Sequence, residues 1–370
     1  MADWVSIVGA GMIARAHARA ASKLGSAVEL AVTDPNPQAI HDFVAEFPSA
    51  RVFHSLDEML QRPPAGNDLV VVATPPFAHK DAAVQSLKSG RHVLCEKPLG
   101  LNLAEAQEML EAARTARRHL GCCSTRFLGL PAQARVRELL DQGTLGEVHH
   151  VTFINRARRS RSGIEYQPAS RWFLQKSFNG GGVMMDWGPY DIACLIDVLQ
   201  PESVEVRQAW MARPITAVDP PEISMDTEQH VGASLVLRQS GRAPVNVTYE
   251  RAACTHGEEY AHVEIEATAA AVRWDWLGGE GRVVLSNDVA GQVQSATTHH
   301  RDESGLGAHD KPLVFFHACI SQGKPLHALI DANAVFNFAV IRAMYDVAET
   351  GQSRTVSLAD FGPSQPSGLK

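Results

Sequence analysis

"WVSIVGAGMIARAHARAASKLG", residues 4–25, is the stretch that decides the fold. Its first five residues form a β-rich run. From Met12 onward Ile13, Ala16, Ala20 and Leu24 recur at helical spacing, up to a C-capping Gly25. Between the two lies Gly9-Ala10-Gly11-x-x-Ala14. Gly9 allows a tight turn, Gly11 lets the backbone approach a pyrophosphate, and Ala14 permits close packing of helix on strand. The orphan amides of the first helical turn, at Met12 and Ile13, then face the negative charge. A glycine turn in another kind of doubly wound sheet is the plain alternative. The strand before it, the helix after it and the acid that follows weigh against that alternative.

That acid is Asp34, which closes a second strand in "VELAVTD" at roughly the distance expected of a carboxylate that accepts hydrogen bonds from an adenosine ribose. No arginine follows to meet a 2′-phosphate, so the residues favour NAD over NADP. Asp34 also suits the start of the Asp-Pro-Asn-Pro turn, and the two roles are compatible.

Strand and helix go on alternating to about residue 120. "QAIHDFVAEF" is a helix, "DLVVVAT" a core strand, "AHKDAAVQSLKSG" a helix closing on Gly90, and "HVLCE" the next strand. "NLAEAQEMLEAARTARRHL" opens on Asn102 with Glu105 three residues on, a capping box. Short apolar runs separated by helices imply a parallel sheet covered on both faces. From about residue 148 the pattern changes to period-two alternation, in "EVHHVTFINR", "SVEVRQAWMA", "ASLVLRQ", "PVNVTYE", "AHVEIEAT" and "AAVRWDW". Those are half-buried antiparallel strands, interrupted by one helix in "MMDWGPYDIACLIDVL". Two helices follow near the end. The expected layout is a dinucleotide-binding domain over 1–122, a substrate-binding and oligomerisation α/β domain over 123–357 with an open, mostly antiparallel sheet, and a loose tail over 358–370.

Composition sets the outer bounds. With 370 residues, 45% apolar and 20% charged, the chain has the make-up of a two-domain globular protein. A net charge of −7 argues against nucleic acid as a partner. No stretch has the length needed to cross a bilayer, and the N-terminus reads as the first strand of the fold rather than a leader. Six scattered cysteines without Cys-x-x-Cys spacing point to free thiols in a reducing compartment, the cytoplasm.

Two further motifs reach the carboxyl ends of core strands, the edge where open α/β sheets bind ligands. "VVVATPPFAH" brings Thr74, Pro75 and His79 there. "HVLCEKPLG" brings Glu96, Lys97 and Pro98. Burying an unpaired ammonium is costly, so Lys97 is not a core residue of the strand; taken alone, it reads best as a surface lysine at a strand end.

Together these segments resemble the family of glucose–fructose oxidoreductase, inositol dehydrogenase and their relatives. "GAGMIA", "ATPPFAH" and "CEKPLG" match its dinucleotide turn, Thr-Pro turn and Glu-Lys-Pro signature. "GGGVMMDWGPYD", residues 180–191, matches its second signature. The resemblance covers essentially the whole chain. It implies a Rossmann domain followed by an α/β domain and a hydride-transferring oxidoreductase. It also implies a homodimer or homotetramer paired through the open sheet. Lys97 becomes the catalytic lysine beside the nicotinamide and Asp186 a substrate-pocket carboxylate. The catalytic position, most often histidine in the family, is Tyr190 here. Ala193 stands where many histidine members have Asp, so the tyrosine branch of the family is favoured.

Residue chemistry agrees with that assignment. Oxidising an alcohol requires removal of the hydroxyl proton, and a phenol beside an ammonium has its pKa lowered, so Lys97 and Tyr190 make a workable acid–base pair. A core aromatic is the plainer reading of Tyr190. Arg126, after the crossover in "GCCSTRF", and Arg171 are candidate substrate contacts. Inter-domain packing explains Arg126 equally well. Arg156, Arg158, Arg159 and Arg161 form a basic loop that suits an acidic substrate or a solvated surface. His256, His299 and His300 lack metal-ligand spacing, so no metal is expected. The reading is an oxidoreductase acting on a secondary alcohol or ketone of a sugar, polyol or sugar derivative. A non-catalytic dinucleotide sensor and a glycosidase using tightly held NAD are the rivals.

Overall fold

The computed structural model describes residues 3–25, 28–158, 168–213, 225–277, 280–323 and 329–362. By its contacts the chain forms two compact units. One comprises Met1–Arg126, Leu306–Phe338 and Phe361–Lys370; the other comprises Phe127–Gly305 and Ala339–Asp360.

The first unit begins with β1 (Asp3–Val8), α1 (Met12–Ala21), β2 (Val28–Thr33), α2 (Pro37–Glu46), β3 (Arg51–Val52) and α3 (Leu56–Leu60). It continues with β4 (Leu69–Val72), α4 (His79–Lys88), β5 (His92–Cys95), α5 (Leu103–Ala116) and β6 (Leu120–Cys122). All six strands are parallel, in the order β3-β2-β1-β4-β5-β6. The order reverses between β1 and β4, which opens a crevice at their carboxyl ends. Every residue of β4 and β5 is buried, as strands covered by helices on both faces must be. The Asn102 side chain caps α5 as the spacing predicts, accepting from Glu105 N at 3.0 Å, while the Glu105 carboxylate reaches back to Asn102 Nδ2 at 3.1 Å and Leu101 N at 2.8 Å.

The second unit holds α6 (Pro131–Asp141), β7 (Val148–Arg158), α7 (Lys176–Asn179), α8 (Val183–Asp186), α9 (Gly188–Leu199), β8 (Ser203–Ala212) and β9 (His230–Arg238). Then come β10 (Val245–Thr255), β11 (Tyr260–Ala267), β12 (Ala271–Trp274), β13 (Arg282–Val289) and β14 (Gln292–His299). The chain ends with α10 (Lys311–Gln322), α11 (Ala332–Thr350) and β15 (Arg354–Ser357). Nine strands form one sheet in the order β14-β13-β12-β11-β7-β10-β9-β8-β15. Its pairs are antiparallel except β7 with β10.

Four differences from the sequence reading have physical causes. The β13–β14 hairpin shows no apolar alternation because β14 is exposed at every position; its turn is Ala290-Gly291, both at positive φ. The single helix expected over 184–199 is two, because Pro189 in the first turn of α9 has no N–H with which to continue the ladder from α8. Residues 306–338, expected in the second domain, pack with the first unit. Leu313 and Phe316 of α10 join the core cluster of Ala14 and Ala18, and Asp331 accepts from Leu120 N at 2.9 Å. An amphipathic helix declares its apolar face but not the surface that will receive it. The expected tail starts with an ordered 3-10 turn, Leu358–Phe361, whose Phe361 is buried; residues 363–370 lie outside the described residues. All six cysteines are free, and none of the described helices is long and apolar enough to cross a membrane.

Candidate functional site

The first unit gathers its motif residues along one sheet edge. After β1 the chain turns at Gly9, at φ +100°, where an added Cβ would lie 2.7 Å from Ala73 O. Only glycine fits a positive φ pressed against the next strand. Gly9 N donates to Thr33 O at 2.8 Å and Ala10 N to Asp34 Oδ2 at 2.7 Å, so the end of β2 holds the turn in place. Asp34 Oδ1 also accepts from Asn36 N at 2.8 Å; the carboxylate thus serves the Asp-Pro-Asn-Pro turn as well. Gly11 caps α1, and a Cβ there would meet no atom within 4 Å. Met12 is mostly exposed while Ala14 is fully buried.

At the ends of β4 and β5 the Thr-Pro and Glu-Lys-Pro turns are clamped together by His79. Its Nδ1 lies 2.8 Å from Pro98 O and its Nε2 2.8 Å from Thr74 O. The ring is fully buried, and that burial lowers its pKa although both carbonyls favour the charged form. His79, expected to touch a cofactor, is therefore held between two backbone carbonyls. Thr74 Oγ1 is buried and has no hydrogen-bond partner among the described residues. The Lys97–Pro98 bond is cis, and Lys97 is half-buried.

Glu96 turns inward, at 5% exposure. Its Oε1 accepts from Arg126 Nη2 at 2.7 Å and lies 2.9 Å from His17 Nε2. Its Oε2 accepts from Lys97 N at 3.1 Å. Burial pushes this carboxyl up, but Arg126 and His17 outweigh it and hold it well below the usual range. Arg126, expected near substrate, is thereby the charge partner of Glu96, and both anchor the turn that presents Lys97. Cys123 joins the cluster, 3.8 Å from His17 Nε2. The three side chains are close enough to hold an ion. However, the guanidinium already neutralises the carboxylate, and burial raises the Cys123 pKa away from thiolate.

In the second unit the triple glycine does positional work. A Cβ on Gly181 would overlap the Tyr345 hydroxyl, and one on Gly182 the Glu228 backbone. Glu228, buried, accepts from Gly182 N at 2.8 Å, Met184 N at 3.0 Å and Tyr345 Oη at 2.7 Å. It thus pins the start of α8, which ends in the buried Asp186. Tyr190, 3% exposed, sits in the first turn of α9. Its ring is edge-on to Phe127 at 4.9 Å and Trp187 at 5.7 Å.

Next to it, Asp191 accepts from Arg251 Nε at 2.8 Å and Tyr249 Oη at 2.7 Å. Burial works against the Arg251 charge, but Asp191 and Tyr249 outweigh it and raise its pKa. Its guanidinium also lies over the rings of Trp187 and Trp276. Sequence reasoning missed Glu228, 46 residues from Gly182, and Arg251, 60 residues from Asp191, as well as Tyr345, which holds Glu228 from 117 residues away. Arg171 is exposed. Of the basic loop, Arg156 forks onto Glu250 at 2.7 Å on both arms, and Arg158 donates to Gly257 O at 2.9 Å. Arg159 and Arg161 lie outside the described residues.

A unit built on a 3-2-1-4-5-6 parallel sheet, with a glycine turn and a lysine on its carboxyl edge, has the build of a dinucleotide-binding oxidoreductase domain. Residues 4–122 match the model described as "Oxidoreductase family, NAD-binding Rossmann fold". Residues 133–273 match the "GFO/IDH/MocA C-terminal domain". The chain belongs to the GFO/IDH/MocA oxidoreductase family.

It is similar to glucose-6-phosphate 3-dehydrogenase of Bacillus subtilis (strain 168), at 40% identity over 30% of either chain. It is also similar to trans-1,2-dihydrobenzene-1,2-diol dehydrogenase of Mus musculus, at 32% identity over 51% of this chain and 54% of the relative. The matched region therefore spans about half or less of these curated relatives. Among solved structures, levoglucosan dehydrogenase in complex with NADH and L-sorbose superimposes with a TM-score of 0.76 at 18% identity, over 96% of this chain and 99% of the other. GenD2 from gentamicin A biosynthesis, in complex with NAD, gives 0.72 at 25% identity, covering 96% of both chains.

Proposed function

We propose that the protein is an NAD-dependent oxidoreductase acting on a secondary alcohol or ketone of a sugar, polyol or sugar derivative. The observation that carries this reading is the shared carboxyl edge of β1, β2, β4 and β5. There a positive-φ glycine turn, Asp34, the orphan Thr74 hydroxyl and Lys97 stand at adjacent strand ends. The edge fits a dinucleotide. Gly11 leaves open space beside the α1 amides, where a pyrophosphate is best stabilised.

When bound, the nicotinamide supplies the hydride chemistry. The chain's part is position and proton handling. Gly9, Gly11, Met12 and Ile13 hold the phosphates. Asp34 takes ribose hydroxyls and its charge opposes a 2′-phosphate, which favours NAD over NADP. Lys97 orients and polarises the reacting oxygen, Tyr190 carries its proton, and Asp186 holds a neighbouring hydroxyl. GenD2 and levoglucosan dehydrogenase, by their descriptions solved with NAD and NADH, support the cofactor; the substrates named for the relatives support the class. Exposed Trp210 and Tyr260 on the nine-stranded sheet support a homodimer or homotetramer paired there. Free cysteines suit the cytoplasm.

NADH formation from NAD with D-glucose, D-xylose, myo-inositol and D-gluconate tests the proposal. Turnover of at least one is expected. Tight NAD binding with none turned over would favour a sensor and overturn it.

A further inference from the structure

We infer that the small cavity beside the triple-glycine turn is a subsite for one substrate hydroxyl, and that Asn179 is the residue that recognises it. This rests on the polyol-dehydrogenase reading above. The cavity measures about 10 Å³, and Asn179, Asp186 and Gln229 line it together with Phe173 and Val183. That is close to the room a single water oxygen requires. A hydroxyl fits it; a carboxylate or phosphate does not.

The polarity of the lining is set by hydrogen bonds within the second unit. Asn179 is 1% exposed, and its Nδ2 donates to Gly181 O at 2.8 Å. A carbonyl only accepts, so this bond fixes which end of the amide is nitrogen. The other end, Oδ1, is a buried acceptor with no hydrogen-bond partner among the described residues. Such an atom calls for a donor. Asp186 adds a carboxylate to the same wall. Gln229 is fixed by its own bond to Thr227 Oγ1 at 3.1 Å.

No lysine, arginine or histidine is among the described residues that line the cavity. The acceptors therefore select a neutral group that donates, which is what a secondary alcohol next to the reacting carbon offers. The wall cannot retreat, because Gly181 abuts Tyr345 and Gly182 abuts Glu228. A ligand lacking that hydroxyl leaves Asn179 Oδ1 unpaired, and discrimination of this origin exceeds what shape alone achieves.

The test takes the polyol bound most tightly in the panel above, with the enzyme loaded with NADH, and its monodeoxy analogues. Kd is measured from tryptophan fluorescence and kcat/KM from turnover. One monodeoxy analogue is expected to bind about 10–100-fold more weakly than the parent, as a lost hydrogen bond of this kind predicts. In Asn179→Leu the parent should weaken to that analogue's level and the analogue should hardly change, in Kd and in kcat/KM alike. Asn179→Ala, which removes the acceptor without adding bulk, stands in if the leucine variant fails to fold and should likewise erase the preference. Equal binding of the parent and all its analogues by the wild type would overturn the inference and leave the dehydrogenase reading intact. So would a preference that survives in Asn179→Leu. If the wild type neither binds nor turns over any polyol, the reading itself fails and the inference with it.

Discussion

The two units build their sites by opposite means. In the first, motif residues come from strand ends that are neighbours in one sheet, and backbone turns do most of the positioning. Gly9 and Asp34 directly follow a core strand, and Thr74 and Lys97 come one residue later. In the second, a short helix and a Gly-Pro break are fixed by side chains far along the chain: Glu228, Tyr345 and Arg251. A site of the first kind depends on sheet register. One of the second kind depends on a few buried polar contacts, each expensive to break.

Breaking one of those contacts should therefore give the largest stability effect. Arg251→Ala strands the buried Asp191 carboxylate and should destabilise the second unit by about 3–5 kcal/mol, read from urea unfolding. A change below about 1 kcal/mol would mean that the pair is not structural. Gly182→Ala comes next. Its Cβ would run into Glu228 backbone and displace α8, at a cost of about 1–3 kcal/mol, with weakened substrate binding and NAD affinity retained. Unchanged substrate binding would contradict the role given to that turn.

The effect that is smallest at neutral pH sharpens the comparison from the first unit's side. His92, buried at the start of β5, accepts from His119 N at 3.0 Å. Burial first, then the nearby His119 and Arg118 charges, lower its pKa from 6.5 to about 3. The unfolded chain therefore binds an extra proton between those values. The stability due to neutral His92 is complete above pH 6.5 and is lost as pH falls toward 3, by at most about 1.4 kcal/mol per pH unit. His92→Asn, which keeps an acceptor but does not titrate, should flatten that slope. Parallel acid-unfolding curves would show that His92 contributes nothing.

The same contrast explains what could be read from the sequence. Strand, glycine turn and helix in residues 4–25 lie next to one another in the chain, so local spacing exposes the fold and the dinucleotide edge. The Asn102–Glu105 cap was legible for the same reason. The β13–β14 hairpin was not, because β14 faces solvent throughout and has no apolar period. Residues 306–338 contain the helix that their spacing predicts but pack with the first unit, since a helical stripe does not name its partner. Lys97, Asp186 and Tyr190 stood out only through motif resemblance. The residues that hold the motifs, Glu228 just before β9 and Arg251 within β10, carry no local signal.

The most direct test of the account is turnover of the best polyol by Lys97→Met, with NADH binding measured alongside. The account predicts that kcat falls about 10³-fold or more, within the range a positioned proton-transfer system supplies, while NADH still binds. Turnover within a few-fold of wild type would contradict it.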